Sequence, residues 1–157
     1  MVKNLLNTVI VSLVCFSAIT FSGCEKTEGC TDPLSENYDP SAELENNTCI
    51  TQRQKFIGLY DADESCNGTG VNSFFSEVRK ANDNLTDILL FNFADNYVNP
   101  VRATVNRTTF IIEKQDPDAT GIWVYGDGSI AGNLITIQYH IRRVNQTDNV
   151  CIVNMTK

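Results

Sequence analysis

From Phe56 to the end of the chain, apolar and polar residues alternate along short segments. In the clearest segment, Ile135, Ile137, Tyr139 and Ile141 share one face, and the residues between them are polar. This period of two indicates a β-strand with one buried and one hydrated side. With similar segments elsewhere it predicts eight strands, the others lying at residues 56–65, 71–79, 85–93, 101–105, 108–114, 121–125 and 149–156.

Turn-forming residues separate these segments, for example Asn67-Gly68, Asp116-Pro117-Asp118 and Gly132-Asn133. No window shows helical periodicity over more than about two turns. We expect Gly126 and Gly128 to form a hairpin or a bulge rather than a dinucleotide site, because no helix follows them. The pattern predicts an all-β fold, an eight-stranded antiparallel meander that closes into a small barrel, with a β-sandwich as the alternative.

The first 23 residues have the pattern of an export signal. Lys3 precedes an apolar run over residues 9–21, which is shorter than the roughly 20 residues that span a bilayer. The run ends in FSGC at residues 21–24, which resembles the bacterial lipobox. This resemblance implies that residues 1–23 are removed and that Cys24 is acylated, so that lipid holds the protein on a membrane. The alternatives are a plain secretory signal or an uncleaved anchor.

Residues 24–28 read CEKTE and form the predicted lipidated linker. This acidic-leaning start is similar to the surface-export signals of Bacteroidetes lipoproteins. The resemblance implies an outer-membrane lipoprotein, which is either surface-exposed or faces the periplasm.

The chain has six cysteines, and two are already assigned because Cys15 lies in the signal and Cys24 at the lipobox. An even number of remaining cysteines in an oxidising compartment predicts two disulfides. Three connectivities are possible. Order and context favour Cys30 with Cys49, which closes a short loop within a polar segment. They also favour Cys66 with Cys151, which joins the two ends of the β region. Zinc is disfavoured because no C-x₂-C spacing exists.

Residues 29–50 are acidic and turn-rich. The sequence of residues 29–49, GCTDPLSENYDPSAELENNTC, resembles the G-C-T-D-P…N-Y-D-P…C segments of secreted Bacteroidetes proteins. The segment offers oxygen ligands of the kind that Ca²⁺ prefers, at Asp32, Asn37, Asp39, Glu45 and Asn46. The spacing is not that of an EF-hand, and we prefer the interpretation of a compact disulfide-closed spacer. Calcium is the only cofactor that the sequence suggests.

Residues 56–157 are similar to a lipocalin-like domain of small Bacteroidetes lipoproteins. The similarity rests on short pieces at both ends of this region, at residues 56–60, 64–66, 126–137 and 151–157. Phe56-x-Gly58-x-Tyr60 is similar in form to the opening strand of lipocalins. The resemblance implies a barrel fold, and it implies no established biochemical role.

Composition and the scarcity of catalytic groups argue against two classes of function. Lys and Arg number 12 against 19 Asp and Glu, which gives a net charge of −7 and disfavours nucleic acid as a partner. His140 is the lone histidine and lies on a polar strand face, where we expect it to be solvated. We read Asp61, Asp63 and Glu64 as a charged rim rather than as a hydrolytic pair. The chain is therefore predicted not to be an enzyme.

Small barrels either pack solid or hold one small ligand. Several strands carry large apolar or aromatic residues on both faces, and the candidates for lining a ligand site are Phe91, Phe93, Trp123, Tyr125 and Tyr139. The first expected function is binding of a small apolar ligand inside the barrel. The alternative is a structural or protein-interaction role at the cell surface with a filled interior, which the many large side chains favour.

Overall fold

The computed structural model describes residues 25–157. The predicted signal at residues 1–23 and the predicted lipidation site Cys24 lie outside the described residues. Within residues 25–157, no helix is long and apolar enough to cross a membrane.

The acidic segment folds as a small module with little secondary structure. Strands β1 (Glu28–Gly29) and β2 (Leu44–Glu45) pair in parallel. The predicted disulfide between Cys30 and Cys49 is present, with 4.9 Å between the two Cα atoms. A 3₁₀ turn over Gln52–Phe56 then leads into the larger domain.

The larger domain is a closed antiparallel barrel, which confirms the predicted fold over the sandwich alternative. Each strand pairs with its neighbours in sequence, and the last strand closes the barrel on the first. The strands are β3 (Gly58–Cys66), β4 (Thr69–Lys80), β5 (Asp87–Phe91), β6 (Val101–Asn106), β7 (Thr109–Gln115), β8 (Ile122–Ala131), β9 (Leu134–Arg143) and β10 (Asn149–Thr156).

The second disulfide joins the first and last strands of the barrel. Cys66 on β3 lies directly opposite Cys151 on β10, with 4.0 Å between their Cα atoms. This confirms the second predicted pairing. The core lies inside the barrel, and all of its members belong to the chain between Phe56 and Met155.

The two ends of the barrel differ. One, which we call the closed end, is covered by the 3₁₀ turn. Phe56 is fully buried there with its ring edge-on to Phe110 at 5.5 Å, and Tyr60 donates a hydrogen bond to the Phe56 carbonyl. The buried Arg53 donates to three carbonyl oxygens, those of Ala81, Asn84 and Asp87.

The opposite end, which we call the loop end, carries the turns that follow β3, β5, β7 and β9. The longest connects β5 to β6 and contains a 3₁₀ turn over Phe93–Asp95. Its buried residues Phe93, Ala94 and Tyr97 belong to the core. We call residues 92–97 the cap segment.

Three predicted boundaries are wrong. The strand predicted to end at residue 125 runs to Ala131, and Gly126 and Gly128 lie within it rather than in a hairpin. The pairing of β7 with β8 is irregular beside Gly126, between Ile112 and Gln115, as the alternative prediction of a bulge expects. Phe56 belongs to the 3₁₀ turn, and β5 ends at Phe91 because the left-handed backbone at Asn92 turns the chain across the loop end.

Candidate functional site

Two of the five predicted lining residues lie inside the barrel at the loop end. Phe93 and Tyr139 are fully buried, and their ring centroids are 4.7 Å apart. Phe93 comes from the cap segment and Tyr139 from β9, so the contact holds the cap segment against the barrel wall.

The other three, Phe91, Trp123 and Tyr125, are on the outer face, and their predicted interior position is wrong. The reason is strand phase: Val124 points inward, so its neighbours on β8 must point outward. Arg79 lies over the Phe91 ring at 4.6 Å and Lys114 over the Trp123 ring at 5.1 Å.

The cap segment is held in an unusual backbone conformation. Asn92, Ala94 and Asp95 have φ values of 50°, 58° and 49°, in the left-handed region that residues other than glycine seldom adopt. The Asn92 side chain donates to the Phe75 carbonyl oxygen at 2.6 Å. Such a conformation persists only where surrounding contacts enforce it.

The chain that follows the cap segment is fastened to the neighbouring loop. The backbone N–H groups of Val98 and Asn99 donate to the Asp118 carboxylate at 2.9 and 2.8 Å. These bonds lower the pKa of Asp118. The loop between β7 and β8 therefore anchors the cap segment across the loop end.

Three buried polar side chains at the loop end have atoms without a hydrogen-bond partner. These atoms are Glu64 Oε1 and the hydroxyl oxygens of Tyr97 and Tyr139, and the residues are 7%, 5% and 0% exposed. Buried polar groups in folded proteins nearly always have a partner. In folded proteins such buried atoms bond to an ordered water or to a bound molecule.

Glu64 was predicted to lie on a charged rim with Asp61 and Asp63, and this is wrong for Glu64. The two aspartates are exposed, whereas Glu64 shares the inward face of β3 with Tyr60 and Ala62. Burial, together with the charge of Asp95 in the cap segment, raises the pKa of Glu64 to about 7. The sequence does predict an inward Glu64 once Tyr60 is placed inside, because residues separated by an even number of positions share one face of a strand.

The predicted calcium ligands do not form a site in the described part of the chain. Each accepts hydrogen bonds from other groups of the module instead, either within its own turn or from a residue farther along the chain: Asp32 from Leu34 and Ser35, Asn37 from Ile50, Asp39 from Ser41, Glu45 from Thr31 and Asn47, and Asn46 from Thr48. The module is thus closed by turns and a disulfide, and the oxygens point to different backbone amides.

A carboxylate and two cysteines also lie close together, but they do not form a metal site. Glu64 lies near the sulfurs of Cys66 and Cys151, all within 4.8 Å of one another. The two sulfur atoms are joined in a disulfide bond. Neither is therefore a thiolate, the form of cysteine that binds metal ions.

The outer face carries a groove of about 450 Å³ along β7, β8 and β9. Tyr125 and His140 stack in it with parallel rings 4.8 Å apart, and the Tyr125 hydroxyl donates to Asp148. His140 is on the outer face, as the strand pattern predicts, but it is half-buried against the Tyr125 ring with its Nδ1 atom buried, so the predicted solvation is wrong for that atom. A second cleft, of about 290 Å³, lies at the closed end between the module and the barrel.

Comparison with known proteins finds no matching protein family and no matching curated protein. Among solved structures, the chain is similar to the one titled "Structure of EF1p2_mFAP2b bound to DFHBI", with 11% sequence identity and a TM-score of 0.47. The similarity covers 68% of this chain and 96% of that one.

Proposed function

We propose that the protein is a non-enzymatic, lipid-anchored envelope protein whose barrel holds a small, largely apolar ligand beneath the cap segment. The observation that carries this proposal is the presence of buried, unpartnered polar atoms on Glu64, Tyr97 and Tyr139 at the loop end. A ligand pocket typically combines an apolar lining with a few polar groups that fix orientation, and this end of the barrel has both.

Ligand entry requires the cap segment to move. The Phe93 ring fills the space next to Tyr139, so a ligand takes the place of that ring. The left-handed backbone at Ala94 and Asp95 costs about 1 kcal/mol or more at each residue. Opening the cap segment releases this strain, which partly offsets the loss of the buried Phe93 contact.

The proposed location rests on the chemistry of the cysteines. Both expected disulfides form in the fold, and disulfides persist in oxidising compartments outside the cytoplasm. The resemblance of residues 21–24 to a lipobox supports the anchor. Mass spectrometry of the N-terminal peptide from native membranes tests this directly: we expect an acylated Cys24, and an unmodified peptide that begins before Cys24 contradicts the proposal.

The second candidate is a protein-interaction role with the interior filled. The observation that favours it is an apolar area on the outer face of β3 and β4, where Leu59 is 71% and Phe75 is 75% exposed. Exposed apolar surface of this kind marks interaction sites. Here the partner contacts the outside of the barrel and the cap segment stays closed.

Methyl NMR distinguishes the two candidates in one sample. A chain of residues 25–157 is suitable because it contains every member of the core. Indole serves as the probe, since it is a small aromatic ring with one N–H donor. We expect its titration to shift the methyl signals of Val124 and Ile141, which are buried in the barrel, and to leave Ile111 and Ile152, which are 56% and 47% exposed, unchanged.

Two results contradict ligand binding in the interior. One is a titration that moves only the outer methyl signals, which supports the interaction surface instead. The other is the absence of any shift up to about 1 mM indole, which would mean a binding free energy weaker than about −4 kcal/mol.

A further inference from the structure

The interior site at the loop end has a distinct chemical character, set by a carboxylate. Glu64 is 7% exposed, points inward from β3 and has one carboxylate oxygen, Oε1, without a hydrogen-bond partner. An ionised carboxylate accepts hydrogen bonds and donates none. A buried carboxylate is stable in its charged form only when paired with a cation or with strong donors.

The position of Glu64 places it beside the proposed ligand space. Cys66, two residues along β3, lies opposite Cys151, and Cys151 lies opposite Tyr139 on β9. The Tyr139 ring is in turn in contact with Phe93 of the cap segment. A continuous series of neighbouring inward-facing residues on β3, β10 and β9 therefore leads from Glu64 to the Phe93 ring, which a ligand would displace.

The charges that act on this end of the barrel are mostly negative. After burial, which is the main cause, the charge of Asp95 raises the pKa of Glu64. Burial also raises the pKa of Tyr97 to about 12, and the charges that act on this hydroxyl are those of Arg143, Asp116 and Asp118. The charges that act on these two buried groups are thus those of three aspartates and one arginine, and together with the Glu64 carboxylate this balance favours a cation over an anion at this end of the barrel.

We propose that the ligand is a small monocationic amine with an aromatic or apolar body, and that its ammonium group hydrogen-bonds to Glu64 while its body takes the place of the Phe93 ring. This inference rests on the proposed interior site and names the class of its ligand. An ammonium has three N–H donors and no acceptor, which complements a carboxylate and a nearby hydroxyl oxygen. The hydroxyl of Tyr139 is buried and unpartnered on the same side of the barrel.

Three probes with the same phenethyl body test the inference: phenethylamine is cationic, phenethyl alcohol is neutral and hydrocinnamate is anionic. Binding is measured at about pH 8, where a carboxylate of this kind is ionised. We expect the amine to bind at least about tenfold more tightly than the alcohol, and the anion more weakly than either, since a hydrogen bond to a charged group adds about that factor.

Matched variants assign the preference to one residue. Glu64→Gln keeps the shape and removes the charge, and we expect it to abolish the preference for the amine while the alcohol still binds. Glu113→Gln removes an exposed carboxylate on the outer face of β7 and should leave the preference unchanged. Circular dichroism of both variants reports on folding.

The acid dependence of binding gives a second readout. Because burial keeps Glu64 protonated in mildly acidic solution, the amine should bind at least about tenfold more weakly at about pH 5.5 than at about pH 8, and the alcohol should not change. This difference should disappear in Glu64→Gln.

The outcomes separate this inference from the proposed function. If the amine and the alcohol bind equally, or if Glu64→Gln keeps the preference, the ligand class is wrong, although shifts of the Val124 and Ile141 methyl signals would still show an interior site. If none of the three probes shifts those signals, both the ligand class and the interior site are contradicted.

Discussion

Glu64 shows how one residue in a strand changes the chemistry of a barrel. Its neighbours Asp61 and Asp63 point to solvent, and Asp63 accepts a hydrogen bond from Ser73. Glu64 points inward, where burial penalises its charged form. The side chain therefore binds a proton in the folded protein at a pH at which the unfolded chain has released it.

This proton makes stability depend on pH in a predictable direction. The pKa of Glu64 is about 7 in the folded protein, against an ordinary value of 4.5. The folded state binds the additional proton between these values, so the free energy of unfolding should fall by about 2–3 kcal/mol as the pH rises through this window. Urea unfolding at several pH values measures the change.

Glu64→Gln should remove this fall, and the exposed control Glu113→Gln should retain it. A wild-type stability that stays constant between pH 4.5 and 7 would show that the carboxylate is not buried as described.

Close packing in the middle of β8 depends on two glycines. A Cβ at Gly126 would lie 2.3 Å from the Gln138 carbonyl oxygen, and a Cβ at Gly128 would lie 2.3 Å from the Phe110 ring. Both distances are far inside van der Waals contact. The glycines thus allow β8 to approach β9 and the aromatic core, and they do not mark a turn.

We expect Gly126→Ala and Gly128→Ala each to lower the free energy of unfolding by at least about 2 kcal/mol, since the methyl group overpacks the interior. Gly132 is the matched control, because it lies in the following turn with φ of 61° and open space around it. Gly132→Ala should cost only about 1 kcal/mol. Equal losses at all three positions, measured by urea unfolding, would contradict the packing argument.

The cap segment is the element whose mobility the proposed function requires. Asp118 holds the chain after it through the N–H groups of Val98 and Asn99. Asp118→Ala removes both acceptors, and the amides of Val98 and Asn99 should exchange with solvent at least about tenfold faster, as expected for loss of hydrogen bonds to a charged group. Amide hydrogen exchange by NMR measures this directly.

Asp116 offers a control in the same loop, because it accepts from the backbone of Thr120 and Gly121 and makes no bond to Val98 or Asn99. Asp116→Ala should leave exchange at Val98 and Asn99 unchanged. If both variants accelerate it equally, the loop as a whole, and not the Asp118 bonds, holds the cap segment.

The sequence predicts β9 best, because its alternation is strict and each inward position is apolar. It predicts β8 poorly, because inward glycines carry no hydrophobic signal. The lining residues are only partly predictable. The phase of a strand with apolar residues on both faces is ambiguous, and for this reason the prediction of an interior position is wrong for Trp123 and Tyr125. The position of Phe93 depends on a left-handed turn at Asn92 that no local pattern specifies.

At the scale of the whole molecule, the two disulfides stabilise different parts. Cys66–Cys151 joins residues 85 apart and fastens the first strand of the barrel to the last. Cys30–Cys49 joins residues 19 apart and closes the module, whose strands are two residues long. The module contributes no member to the core of the barrel.

The double variant Cys66→Ala/Cys151→Ala should therefore lower the free energy of unfolding of the barrel by about 4 kcal/mol, as expected for loss of a long loop closure. Cys30→Ala/Cys49→Ala should change barrel stability by less than about 1 kcal/mol and should instead make the module sensitive to proteolysis. Urea unfolding and limited proteolysis measure the two effects. A large loss of barrel stability in the second variant would show that the module supports the barrel.

The chain enters the barrel domain and ends at the same end of the barrel, within the described residues. The module and the 3₁₀ turn lie at the closed end, and Lys157 Nζ donates there to the Lys55 carbonyl oxygen at 3.0 Å. If Cys24 carries the proposed lipid tether, the closed end would face the bilayer and the cap segment would face away from it. The proposed ligand would then enter the barrel from the surrounding aqueous phase and not from the membrane.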